Sequence, residues 1–179
     1  MTREDILDAA AQVIRRKGFN GASMAAIAKA VNLQKASLYH HVSSKQEILL
    51  ALLDRAIEML TEQIGPLASR TAPADEKLRE MTCTYLRLLA ENADLASVLL
   101  FEHRSLEPKQ HARHIPNRDK FEALWRDVFS EGVAVGSNSG YLGLNNGSTG
   151  FASIVGAGSL WGISSSLFIG GGFNDDGHG

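Results

Sequence analysis

The chain has 179 residues, 44% of them hydrophobic and 21% charged, with a formal net charge of −2 and a single cysteine. That composition excludes collagen-like, disordered and disulfide-scaffold proteins, and leaves one compact unit, or a small domain joined to a larger one, with enough apolar residues for a core. The distribution is uneven: all 18 Lys and Arg lie in residues 1–136, whereas 12 of the 17 Gly lie in the last 43 residues.

Thr2 followed by Glu4 and Asp5 marks a helix start, since a hydroxyl can cap free amides and acids suit the positive end of the helix dipole. Ile6, Ala10, Val13 and Ile14 recur at helical spacing until Gly18 stops the helix. A second short helix is expected after Ser23, through Met24, Ile27 and Val31, with Asn32 at the break because its side chain tolerates a left-handed backbone. A third is expected over Gln34–His41. Ser43 and Ser44 interrupt it, and a long apolar-striped helix follows from Lys45 through Ile48, Leu49, Leu52, Ala56, Ile57 and Leu60 to Gly65-Pro66. Further helices are expected around Leu78–Leu89, Leu95–Leu99 and Phe121–Phe129, with the polar stretch 103–116, which contains Pro108 and Pro116, as a loop or broken helix end. No strand alternation precedes Gly136, so the fold class expected is all-α.

Between Ala9 and Gln46 stand Arg15, Arg16, Lys17, Lys29, Lys35 and Lys45 without one acid, a basic segment that suits a polyanion. Arg15, Arg16 and Lys17 read first as a solvated end of the first helix, where cations complement the dipole. Two short helices joined by a tight turn describe a helix-turn-helix, whose second helix enters the DNA major groove. Ala25, Ala26, Ala28 and Ala30 supply the small residues needed where the two helices cross.

The stretch SMAAIAKAVNLQKASLYHHVSSKQEIL, preceded by ILDAAAQVIRRKGF, resembles the DNA-binding domain of the TetR family of transcriptional regulators over about residues 3–55. Gly18-Phe19, Ser23-Met24 with Ile27-Ala28, Leu38-Tyr39-His40-His41, and Ser44-Lys45 with Glu47-Ile48-Leu49 carry the resemblance. Asn32 replaces a usual Gly, Gln34 a usual Ser or Thr, and Val42 a usual Phe. Gln34, Lys35, Ala36 and Ser37 lead the expected recognition helix, where side chains can bond base edges or, for Ala36, touch a thymine methyl. Tyr39 and His40 resemble family residues that touch phosphates, and Ser23 and Lys45 stand at helix N-termini that favour an anion. His41 is open between packing and contact.

The resemblance implies a domain organisation of 1–46 for the helix-turn-helix and 47–179 for a larger helical domain that binds an effector and dimerises. Residues 101–136 resemble a subtype associated with acyl-CoA or other apolar ligands. Pocket candidates are Met81, Tyr85, Leu88, Leu99, Phe101, Phe121, Leu124, Trp125 and Phe129, because pockets between helices are lined by apolar and aromatic groups; each also suits an ordinary core. The partners implied are a double-stranded DNA operator, a small apolar or acyl-CoA-like effector and a second copy of the chain. A helical domain that only dimerises, without an effector, is the alternative.

Glu102, His103, Glu107, His111 and His114 lack a compact ligand motif, so no metal is expected. No nucleophile elbow or phosphate loop points to an enzyme, and no cofactor is implied. Cys83, within an apolar stripe, reads as inert packing; with one Cys and no apolar h-region near the N-terminus, a cytoplasmic location is expected. Residues 137–179 hold no Lys or Arg, 12 Gly and 8 Ser. The family would place an interface helix near Phe151–Trp161 and a glycine turn at Gly170–Gly172. The uncharged run Gly150–Ile169 is too rich in Gly and Ser for good membrane insertion, and no membrane partner is expected.

Overall fold

The computed structural model describes residues 2–135, 150–154, 159–163 and 167–170, with side chains over 2–132. From Thr2 to Val135 the chain is all-α: α1 (Arg3–Gly21), α2 (Met24–Ala30), α3 (Lys35–Leu38), α4 (Lys45–Ser69), α5 (Ala74–Glu91), α6 (Ala93–Phe101), a 3-10 turn (His103–Ser105) and α7 (Pro108–Val135).

The helix starts follow their caps. Thr2 Oγ1 accepts from Asp5 N at 3.2 Å while Thr2 N donates to Asp5 Oδ2 at 2.6 Å, a reciprocal box that lowers the Asp5 pKa. Ser23 and Ser44 each accept from the amide three residues on, at 3.1 Å. Gly18 interrupts α1 with φ +69, and one more turn runs to Gly21. At the end of α2, Asn32 takes φ +54; Leu33 N donates to Ala28 O at 2.9 Å and Asn32 N to Lys29 O at 3.2 Å. This double closure satisfies two terminal carbonyls and turns the chain sharply into α3.

One core joins α1, α2, Leu38, Val42 and the first half of α4, from Ile48 to Ala56, with Leu95 and Val98 of α6. α6 packs against α1 and α4, and residues Met1–Gly132 form one compact unit. The second half of α4, with Leu60 and Ile64 fully buried, packs on α5.

Several expectations are corrected. The long helix does not end at Gly65-Pro66 but continues to Ser69, because Ile64 and Ala68 are buried and hold the last turn, while Pro66 lies on the exposed side of the helix. The stretch 108–116 is helical: Pro108 occupies the first position, which needs no amide donor, and the inward residues are Gln110 and His114 rather than apolar ones. Cys83 is exposed instead of packed.

Described by itself, the remainder forms an antiparallel meander of β1 (Gly150–Ile154), β2 (Ser159–Ile163) and β3 (Leu167–Gly170), with Trp161 opposite Ala152 on one side and Ile169 on the other. Where an interface helix is expected near Phe151–Trp161, the described residues 151–154 and 159–161 are strand, consistent with glycines and serines that disfavour helix and Phe, Ile and Trp that suit a sheet. The domain expected over 47–179 is thus helical only to Val135 among the described residues; Gly171 and Gly172 lie outside them. No described helix is long and apolar enough to cross a membrane.

Candidate nucleic-acid interface

The turn at Asn32 delivers Gln34 as the first residue of the recognition segment, with extended backbone and no side-chain cap bond. Its amide is therefore free to point outward. Lys35 and Ala36 are exposed and Ser37 half-buried, while Leu38 is fully buried and anchors the segment to the core. Regular helix ends at Leu38; Tyr39, His40 and His41 continue as tighter turns, their amides bonding three residues back at 3.0–3.2 Å. Tyr39 is 46% exposed, an unusual position for a ring that only packs, and His40 and His41 are exposed beside it. Ser23 is exposed at the start of α2, with its hydroxyl engaged as the cap.

Lys45 has a different environment from the one its position suggests. Its ammonium donates to Phe19 O at 2.8 Å and Ala22 O at 2.9 Å, and lies 4.3 Å from the Phe19 ring centroid. It caps the end of α1, the carbonyls left over after the break at Gly18. Arg15 pairs with Asp94 of α6 at 2.8 Å, and Arg16 Nε bonds Gln12 O.

A shallow notch that sequence reasoning missed adjoins the recognition segment, lined by Arg3, Tyr39, His40, His41, Val42, Ser43 and Glu47. Its parts come from three places in the chain, so no local motif announces it. A second open depression lies at Asp5, Asp8, Ala9, Gln12 and Ala30–Asn32.

The pocket candidates separate. Tyr85, Phe121 and Trp125 meet as an aromatic cluster with centroids 6.1–6.3 Å apart, and burial raises the Tyr85 pKa. Met81, Tyr85, Leu88 and Phe129 are buried core; Leu124 is half-buried, 4.0 Å from where a Cβ on Gly65 would stand. Leu99 packs instead on the N-terminal core, and Phe101 is 73% exposed.

The polar 102–117 stretch links the later helices to α1 and α4. Glu102 Oε1 accepts from Phe19 N at 3.0 Å and its Oε2 from Ser105 Oγ at 3.1 Å. Gln46 donates to Ser105 O at 2.9 Å and accepts from Glu107 N at 3.0 Å. Asp54 Oδ1 lies 2.7 Å from His114 Nδ1 and accepts from Asn117 at 3.1 Å. Burial holds the His103 imidazole below its ordinary value; the Arg104 charge acts the same way and the Leu99 carbonyl opposes both, with Arg118 and His114 adding smaller downward pushes. Among the described residues no three His, Cys, Asp or Glu converge on a metal position.

Residues 6–52 match the family model described as bacterial regulatory proteins, tetR family, and residues 71–140 match that of the tetracyclin repressor-like C-terminal domain. The structure is similar to PfmR, a TetR family transcriptional regulator from Thermus thermophilus, at 32% identity and a TM-score of 0.67, covering 73% of this chain and 71% of that one. It is similar also to AibR in complex with isovaleryl coenzyme A and operator DNA, at 27% identity and a TM-score of 0.67, covering 74% and 72%. The HTH-type transcriptional repressor KstR2 of Mycobacterium tuberculosis is 24% identical over 135 residues, 75% of this chain and 68% of that protein. The match spans 48% of the length of another relative, the Bacillus subtilis regulator YobS. Both halves of the helical unit thus point the same way, and the chain belongs to the TetR family of bacterial transcriptional regulators, proteins that are not enzymes.

Proposed function

We propose that the chain is a sequence-specific DNA-binding repressor that holds a palindromic operator as a homodimer and lets go when a small apolar or acyl-CoA-like effector enters the helical domain. The observation that carries the DNA reading is the exposed row Gln34, Lys35 and Ala36 standing on the buried Leu38, directly after the left-handed turn at Asn32. Lys suits guanine O6 and N7, Gln suits adenine, and a methyl suits thymine. Tyr39 and His40 would fix the register on phosphates, and Ser23 the approach of α2. Repression is supported by the description of KstR2, and the effector class by the coenzyme A ester bound to AibR.

Half-sites one turn apart need recognition helices separated by ~34 Å, so a few ångströms of change transmitted through α4 would lose register. Operator capture from upstream genomic DNA tests the reading: Lys35→Ala should weaken operator binding by about 1–3 kcal/mol and change binding to random duplex far less. Equal affinity of the wild type for every fragment would refute it.

One observation favours the alternative, an effector-less regulator whose helical domain only dimerises. Met81, Tyr85, Leu88 and Phe129 are buried, and both depressions described above lie away from them. Thermal shift against acyl-CoAs, steroids and aromatic acids decides: stabilisation by one class supports the effector, and uniform silence supports the alternative.

A further inference from the structure

The notch beside the recognition segment has the chemistry of an anion seat with one flaw. Arg3, on the first turn of α1, is exposed and has no carboxylate within 4.0 Å among the described residues. It lines the notch together with Tyr39, His40, His41 and Ser43, exposed residues whose side chains can donate to phosphate oxygens. The flaw is Glu47, on the first turn of α4, which also lines the notch and whose carboxylate would repel an anion.

Glu47 is not left bare. Its Oε1 accepts from Arg113 Nη1 at 2.6 Å, and Gln110 Nε2 reaches the same oxygen at 3.4 Å. Both partners stand on α7, in the helical region that follows the DNA-binding helices. The charge presented by the notch therefore depends on a residue 66 positions away in sequence.

We propose that the notch of Arg3, Tyr39, His40, His41 and Ser43 seats a DNA backbone phosphate beside the recognition segment, and that Arg113 of α7 permits this by neutralising Glu47. Withdrawal of α7 from α4 would uncover the carboxylate and expel the phosphate. The effector region thus has an electrostatic handle on DNA affinity besides any change in the spacing of recognition helices. The proposal rests on the DNA-binding reading above.

The test uses the full chain and compares wild type with Arg3→Gln, Arg113→Gln, Glu47→Gln and the Glu47→Gln/Arg113→Gln double variant. Affinity is measured on the captured operator and on random duplex at 50 and 200 mM salt. A lost phosphate contact weakens all sequences alike and flattens the salt dependence, so Arg3→Gln should lower the slope of log K against log salt by about 1 on both duplexes. Arg113→Gln should weaken both by roughly 5- to 10-fold at the lower salt and by less at the higher, because exposed charges are screened. Glu47→Gln should tighten binding, and the double variant should return close to wild type.

A purely mechanical role for the α4–α7 contact predicts the opposite sign for Glu47→Gln, since either substitution breaks the same pair; equal weakening by Glu47→Gln and Arg113→Gln overturns the proposal. So does an Arg3→Gln protein with unchanged affinity and slope. A wild type that binds no DNA overturns the DNA-binding reading and this inference with it, whereas a binding wild type with indifferent variants overturns this inference alone.

Discussion

Replacing Lys45 by Met, which keeps the aliphatic stem and removes the ammonium, should destabilise the protein rather than merely loosen its grip on DNA. The lost group makes two charge-assisted hydrogen bonds, to Phe19 O at 2.8 Å and Ala22 O at 2.9 Å, and stands over the Phe19 ring. Hydrogen bonds involving a charged donor are worth about 1.5–3 kcal/mol when made inside a protein, and Lys45 is half-buried, so the lower end applies. The ring contact adds about 0.5–1 kcal/mol. Water can reach part of the vacated space, which offsets some of the loss, and a net cost of roughly 2–3 kcal/mol results. For a unit of this size that lowers Tm by roughly 6–12 °C. Thermal and denaturant unfolding followed by circular dichroism measure it, and operator affinity taken well below the lowered Tm separates stability from contact. A Lys45→Met protein that unfolds with the wild type, yet binds all DNA more weakly with a flatter salt dependence, would refute this account and return Lys45 to the phosphate-contact role its position at a helix start suggests.

Gly18→Ala should cost about 1–3 kcal/mol in denaturant unfolding, because φ +69 is a backbone that L side chains rarely adopt; the space itself is adequate, with the nearest atom, Glu102 Oε1, 3.5 Å from the added Cβ. Met81→Ala, at a fully buried position, should cost about 2–5 kcal/mol, whereas Phe101→Ala, 73% exposed, should change stability by less than about 0.5 kcal/mol; similar losses for both would mean that Phe101 is covered in solution. Burial lowers the His103 pKa from 6.5, so the unfolded chain binds the extra proton first: this residue's contribution is fully present above pH 6.5 and is lost as pH falls through the folded value. His103→Gln should flatten the acid limb of a stability-against-pH curve, and an unaltered limb would place the dependence elsewhere. The raised Tyr85 pKa acts at the other end, its contribution present below pH 10 and lost as pH rises past it, so Tyr85→Phe should remove part of any alkaline destabilisation.

Much of the helix-turn-helix was legible because its determinants are local. Caps and a turn residue act within four residues of one another, so Thr2, Ser23 and Asn32 have the roles expected of them. Helix continuation through Pro66 and Pro116 was not legible, since buried neighbours rather than propensity decide whether a proline ends a helix. The leading half of α7 escaped for a related reason: its inner face carries Gln110, His114 and Asn117, bonded to Glu47 and Asp54, so it lacks the apolar period by which helices are recognised.

The chain's own order of residues thus determined the helical class up to Val135, the helix-turn-helix with its outward Gln34, Lys35 and Ala36, and the change of character near Gly136. Tertiary structure alone decided that Lys45 turns inward onto the Phe19 and Ala22 carbonyls, that Tyr85, Phe121 and Trp125 meet while Phe101 stands outside, and that Arg113 covers Glu47 beside Arg3. The physical reason is range. Backbone hydrogen bonds and dihedral preferences are set by near neighbours in sequence, whereas the partner of a long charged side chain is set by which distant helix the core brings within about 3 Å of its end.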